Sequence, residues 1–169
     1  SSDKAARFIR YCDAFNIPVL TLVNAKGFCR TQCSEERMPR AAASLIFGYA
    51  NATVPKVTVI AGKAYGTPYV IMGSKAIGSD MTYAWKDAEI GVMDADAAAK
   101  ILYDGKDADT IKKGAEDFKA LQQNVNSAAA HGYVDTVIEP QDTRKYVIGA
   151  FEMLYTKREN RPDRKHGTV

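Results

Sequence analysis

The chain has 169 residues, 46% of them hydrophobic and 25% charged, with a net charge of +3. That length suits one domain with a real hydrophobic core or half of a larger two-domain protein, and the composition excludes the low-hydrophobicity, high-charge class of disordered chains. So mild a basic balance calls for no nucleic-acid partner. No apolar run approaches the roughly 20 residues of a membrane-spanning helix, and Ser1-Ser2-Asp3-Lys4 has no signal-peptide character.

Residues 3–15 are the first expected element, a helix on which Phe8, Cys12 and Phe15 recur at helical spacing, with Ser2 as cap and Asn16 and Pro18 as its end. Residues 18–23 read as a buried strand, because a run this apolar and β-branched suits a parallel sheet covered on both faces. Residues 24–40 read as a polar loop around Gly27, and residues 40–52 as an alanine-rich helix with Leu45, Ile46 and Tyr49 on one face. A second strand covers 57–61 and a turn 62–66. The next helix runs from Thr67 to about residue 73, with Thr67 as N-cap and Pro68 at the first helical position. Residues 81–85 and 88–92 read as short strands, with Tyr83 and Trp85 as core aromatics. Asp94 caps a short helix ending near 102, residues 109–130 form one long helix, and 133–138 form an edge strand. Pro140, Asp142 and Thr143 open a last helix that ends near 157. Helix and strand alternate without repeat or internal boundary, so residues 1–169 are expected to form one α/β unit.

The sharpest chemical feature is the strand, turn and helix over residues 57–73. A helix start exposes backbone N–H groups and the positive end of its dipole, which together suit an oxyanion or phosphate; the same spacing also describes an ordinary strand-to-helix turn. No dinucleotide-binding glycine fingerprint or P-loop follows either strand, and neither His131 nor His166 stands in a nucleophile spacing with Ser or Cys. Cys29 and Cys33 have no further Cys or His nearby, short of the four ligands of a structural zinc, so no metal is expected. The odd set of Cys12, Cys29 and Cys33 argues against a disulfide framework and for a reducing, cytoplasmic setting. Lys157, Arg158, Arg161, Arg164 and Lys165 make a basic tail, either a solvated arm or a clamp on a neighbouring subunit or an anionic ligand.

Several ordered motifs carry a resemblance. Ser2-Asp3-Lys4-Ala5-Ala6-Arg7-Phe8-Ile9-Arg10 at the start, Ala52-Thr53-Val54-Pro55-Lys56-Val57, Lys63-Ala64-Tyr65-Gly66, Tyr83-Ala84-Trp85, Ala88-Glu89-Ile90-Gly91-Val92-Met93 and Gly132-Tyr133-Val134-Asp135 follow one another in that order, and Lys165-His166-Gly167 closes the tail. Together they resemble the C-terminal subdomain of acyl-CoA carboxylase carboxyltransferase subunits, the family of propionyl-CoA carboxylase β and methylmalonyl-CoA decarboxylase, over essentially the whole chain. The resemblance implies a crotonase/ClpP-like superhelical α/β fold of short ββα units, a fragment of a longer two-subdomain chain, and a homo-oligomer. It implies an active site shared between halves, in which acyl-CoA binds mainly the missing N-terminal half. Biotin, delivered by a biotin carboxyl carrier protein, enters along this half. Gly66 and Thr67 are the implied catalytic residues, through their amides, and Gly27, Phe28, Tyr65 and Tyr69 the implied cofactor-binding ones.

Three departures accompany it. The family turn A-Y-G-G-A-Y is here Ala64-Tyr65-Gly66-Thr67-Pro68-Tyr69, with Thr67 and Pro68 at the two positions whose amides donate in the family; Pro68 has no N–H, so one of the two donors is missing unless Gly66 or Tyr69 serves in its place. The V-P-G-F loop is Ala25-Lys26-Gly27-Phe28, and the Gly-Ala after Met93 is Asp94-Ala95. These departures keep open the alternative of a degenerate, non-catalytic domain of the same fold used for subunit assembly.

Overall fold

The computed structural model describes residues 1–29 and 31–160. The strands pair into one parallel sheet of β1 (Val19–Ala25), β2 (Lys56–Tyr65), β3 (Met81–Trp85), β4 (Glu89–Gly91) and β5 (Thr136–Ile138). The order is β1-β2-β3-β5, with β4 also on β2. The length of β2 makes this possible: its first half pairs with β3, from Val57↔Met81 to Ile60↔Ala84, and its last residues pair with β4, from Lys63↔Glu89 to Tyr65↔Gly91. The residues 62–66 read as a turn are therefore mostly strand. At β1 the register steps from Val23↔Ile60 to Ala25↔Ala64, and the extra β2 residues are held by the Asn24 side chain, which accepts from the Lys63 amide at 3.1 Å.

Helices α1 (Ser2–Ala14), α2 (Gln32–Asn51), α3 (Gly66–Ile71) and α6 (Val125–Ala130) pack on one sheet face, and α7 (Thr143–Met153) on the other. On the first face lie a cluster of Ile9, Leu45, Tyr49 and Ile71 and a second of Val23, Ile60, Tyr69 and Val125. On the second face Val57, Val59, Tyr83 and Ile138 meet Ala150. Helices α4 (Ala95–Leu102) and α5 (Ala108–Gln122) form a satellite pair through Ala95, Ala99 and Ala115. Thr21, Thr58 and Thr82 line up across β1, β2 and β3. Thr21 shares a 2.8 Å hydrogen bond with the Tyr49 hydroxyl, Thr58 donates to the Gly73 carbonyl at 2.6 Å, and the buried Thr82 hydroxyl has no partner among the described residues.

Several expectations are corrected. Helix α2 begins eight residues earlier than read, because the Thr31 side chain caps it by accepting from the Ser34 amide, and it accommodates Pro39. Strand β1 is not covered on both faces: burial alternates, and Leu20 and Leu22 are exposed because α7 covers β2, β3 and β5 but not β1. On α1 the buried residues are Ala6, Ile9 and Cys12, while Phe8 and Phe15 face solvent. The cap position is Ser1 rather than Ser2. The long helix over 109–130 is two, broken where Gln123 turns inward and Asn124 caps α6 by accepting from the Asn126 amide. The last helix ends at Met153 and passes into a single 3-10 turn. Of the basic tail, Lys157 is anchored to Asp80 at 2.9 Å rather than solvated, Arg158 is exposed, and Arg161, Arg164, Lys165 and His166 lie outside the described residues.

Candidate functional site

The end of β2 runs into α3 without an intervening loop. Gly66 makes the bend with φ of 57°, in the left-handed region that L side chains avoid. A Cβ there would also stand 2.8 Å from the Val92 carbonyl oxygen, so both conformation and space demand glycine. Thr67 is not the cap, as its position suggested: Tyr65 occupies the cap position without a side-chain hydrogen bond, and Pro68 is the third helical residue. The Tyr65 carbonyl takes the first intrahelical bond, which comes four residues on, from Tyr69. Ahead of it the amides of Gly66 and Thr67 have no role in the helix. Pro68 sits where the helix uses no amide, so its missing N–H costs α3 nothing. Thr67 is exposed and Gly66 half-buried, so solvent reaches this corner.

The other candidate residues divide. Tyr65 and Tyr69 are 2% and 9% exposed, and Tyr69 packs in the core with Val23, Ile60 and Val125. Burial pushes the Tyr69 hydroxyl up from its ordinary value. These rings build the wall under the junction. Gly27 is exposed, with open space where a Cβ would stand, and Phe28 packs partly against the α1–α2 cluster. Because Ala25 pairs with Ala64, the loop carrying Gly27 and Phe28 leaves the sheet at the same end as Gly66.

Sequence reasoning passed over the charged cluster beside this corner. The Tyr65 hydroxyl donates to Glu89 Oε2. Lys119 of α5 stands 2.7 Å from Glu89 Oε1 and Lys63 of β2 3.4 Å from Oε2; Lys63 also reaches Asp94 at 3.9 Å. Hydrogen bonds from Lys119 and then from Tyr65 hold the Glu89 carboxyl down to about 2. Burial, reinforced by the Glu89 hydrogen bond, pushes the Tyr65 hydroxyl above its ordinary value. Asp94 does hold the cap position of α4, yet its side chain makes no cap hydrogen bond. The buried Gln123 pins the next loop, its side chain donating through Nε2 to the Met93 carbonyl at 2.6 Å while its main-chain carbonyl accepts from the Ile90 amide at 3.3 Å. The available signal was Glu89 itself, an acid inside an apolar strand run, which implies partners brought from elsewhere.

Among the described residues no His, Cys, Asp or Glu group is placed to hold a metal ion, and no helix is long and apolar enough to cross a membrane. The fold defines the class: a crotonase-like α/β domain, here with its longest strand running directly into a short helix. The chain belongs to the carboxyl transferase domain family, whose model matches residues 1–169. It is 48% identical over 181 residues to the propionyl-CoA carboxylase beta chain of Saccharopolyspora erythraea, covering 100% of this chain and 33% of that one. Over 173 residues it is 46% identical to the methylmalonyl-CoA decarboxylase subunit alpha of Veillonella parvula, with 100% and 33% covered. Its fold matches the solved transcarboxylase 12S, a hexamer crystallised with methylmalonyl-coenzyme A, at a TM-score of 0.94 and 42% identity over 99% of this chain and 33% of that one. The chain thus spans about a third of the length of the relatives it matches.

Proposed function

We propose that this chain is the biotin side of an acyl-CoA carboxyltransferase or decarboxylase, one subdomain of a longer cytoplasmic subunit. The observation that carries the reading is the Tyr65–Gly66 junction in a chain matched over all 169 residues by the carboxyl transferase family: glycine is obligatory there, and two amides stand ahead of the first helical bond.

Biotin, arriving on a carboxyl carrier protein, would supply the bond to CO2 that is made or broken, and its flat ureido carbonyl would suit a pair of adjacent main-chain donors. The amides of Gly66 and Thr67 would hold that oxygen as it gains negative charge. Donors fixed in place beforehand are worth about 3 kcal/mol each to such a charge. Gly27 and Phe28 would border the entry path, as both leave the sheet at that end. The side chains of Tyr65 and Tyr69 would shape the wall rather than touch the ligand, since both are buried. Acyl-CoA would be held by the remaining two thirds of the subunit, in a homo-oligomer. The exposed Phe8, Tyr11, Phe15, Leu20 and Leu22 give such an assembly apolar surface to cover. The same surface would serve the alternative of a domain kept only for assembly.

The test is an assay of the full-length subunit with biotin and malonyl-, methylmalonyl- and glutaconyl-CoA. Biotin-dependent transfer or release of the carboxyl group from at least one thioester is expected. Absence of turnover with all of them, in a correctly assembled subunit, leaves the assembly role.

A further inference from the structure

We propose that Glu89 is a positioning residue for the Gly66 and Thr67 donors, acting through the Tyr65 hydroxyl. The inference rests on the biotin-side reading given above and names how that corner is held in shape.

The argument begins with a mechanical weakness. Strand β4 pairs with β2 over only three residues, Lys63↔Glu89 to Tyr65↔Gly91. Immediately beyond this short ladder, Gly66 bends into the left-handed region with the Val92 carbonyl against it. Val92 follows Gly91, the ladder partner of Tyr65, so a slip of β4 along β2 would move that carbonyl and release or crush the bend. Tyr65 and Glu89 oppose such a slip diagonally: the Tyr65 hydroxyl reaches back along the pair to a residue two positions before its own ladder partner.

Glu89 is itself fixed from two sides, by Lys63 on β2 and by Lys119 on α5. The carboxylate therefore ties two other elements, β4 and α5, to the residue that precedes Gly66. Ion pairs of this kind contribute little net stability where apolar residues of similar size would pack, but they restrict geometry. The Tyr65 hydroxyl is buried and held above its ordinary range, and Glu89 is held down to about 2, so neither group changes protonation near neutral pH. That suits a fixed strut and not an acid–base pair.

The experiment uses the full-length subunit carrying Tyr65→Phe, Glu89→Ala or Glu89→Gln. Kinetics are measured separately against biotin and acyl-CoA, and amide hydrogen exchange is followed over residues 62–69. Tyr65→Phe and Glu89→Ala are expected to lower kcat/KM for biotin by about tenfold or more, since a misplacement near 1 Å can cost on the order of 100-fold. KM for acyl-CoA should stay within about twofold, a split that general loss of structure would not produce. Glu89→Gln keeps an oxygen for the Tyr65 hydroxyl and should recover part of the loss. Exchange over 62–69 should quicken in Tyr65→Phe and Glu89→Ala while the α7 segment is unchanged. Wild-type biotin kinetics and exchange in both variants would overturn the inference, as would equal losses toward both substrates. If the wild-type subunit has no biotin-dependent turnover, the functional reading fails, and exchange over 62–69 alone then decides the strut: faster supports it, unchanged removes it.

Discussion

Replacing Gly66 by alanine tests the junction on which the functional reading stands. An L residue at φ of 57° carries about 1–2 kcal/mol of conformational cost. The added methyl would lie 2.8 Å from the Val92 carbonyl oxygen, a main-chain atom that no rotamer change can move. Val92 has little freedom to retreat, because Gly91 is paired with Tyr65 on one side and the Met93 carbonyl accepts from Gln123 on the other. Forcing a methyl into such a space costs a further ~1–3 kcal/mol, offset by roughly 0.5 kcal/mol from the stiffer unfolded chain. The net expectation for Gly66→Ala is a loss of about 3 kcal/mol. Urea denaturation read by the fluorescence of the single tryptophan, Trp85, measures it. Gly149→Ala is the control: it lies in helix α7 with nothing near its Cβ position and should gain about 0.5–1 kcal/mol. A Gly66→Ala protein within 0.5 kcal/mol of wild type, on the scale of ordinary surface changes, would refute the claim that this corner requires glycine.

Acid should weaken the fold through Glu89. Its carboxyl is depressed from 4.5 to about 2, so its contribution is complete above the ordinary glutamate range and is lost as pH falls from about 4.5 to 2. A depression of that size corresponds to about 3 kcal/mol, reduced to ~1–2 kcal/mol because the Lys119 partner is 58% exposed; urea midpoints at pH 5 and pH 3 should separate less in Glu89→Gln than in wild type. Thr82→Val, which replaces a buried hydroxyl without a partner by a methyl of like size, should raise stability by about 1 kcal/mol in thermal unfolding. Gln123→Ala should cost about 2–3 kcal/mol, since it empties a buried site and strips the Met93 carbonyl of its donor. Exchange of residues 90–93, followed by mass spectrometry, should quicken in the same variant.

Local chemistry made much of the fold legible. β3 falls on Met81–Trp85 as read, and the start of α4 after Asp94 is also as read, because these boundaries depend on a short run rich in aromatic residues and on a residue type suited to helix starts. The start of α2 was missed: its capping Thr31 lies in a polar stretch whose helical face is decided by what packs on it. The break at Gln123 was missed for the same reason, since Lys119 to Ala130 is locally acceptable as helix and only the pull of Met93 and Ile90 turns Gln123 inward. The family was likewise legible in the order of the motifs.

What the sequence determined by itself is the alternation of helix and strand, the parallel sheet and a glycine turn ahead of the helix that follows the second strand, all consequences of backbone preference and apolar patterning over a few residues. Only the tertiary structure decided that β2 continues through Tyr65, that Val92 closes on Gly66, and that Glu89 gathers Tyr65, Lys63 and Lys119. Those contacts join residues more than twenty positions apart, and their energies depend on separation in space, a quantity that residue order does not contain.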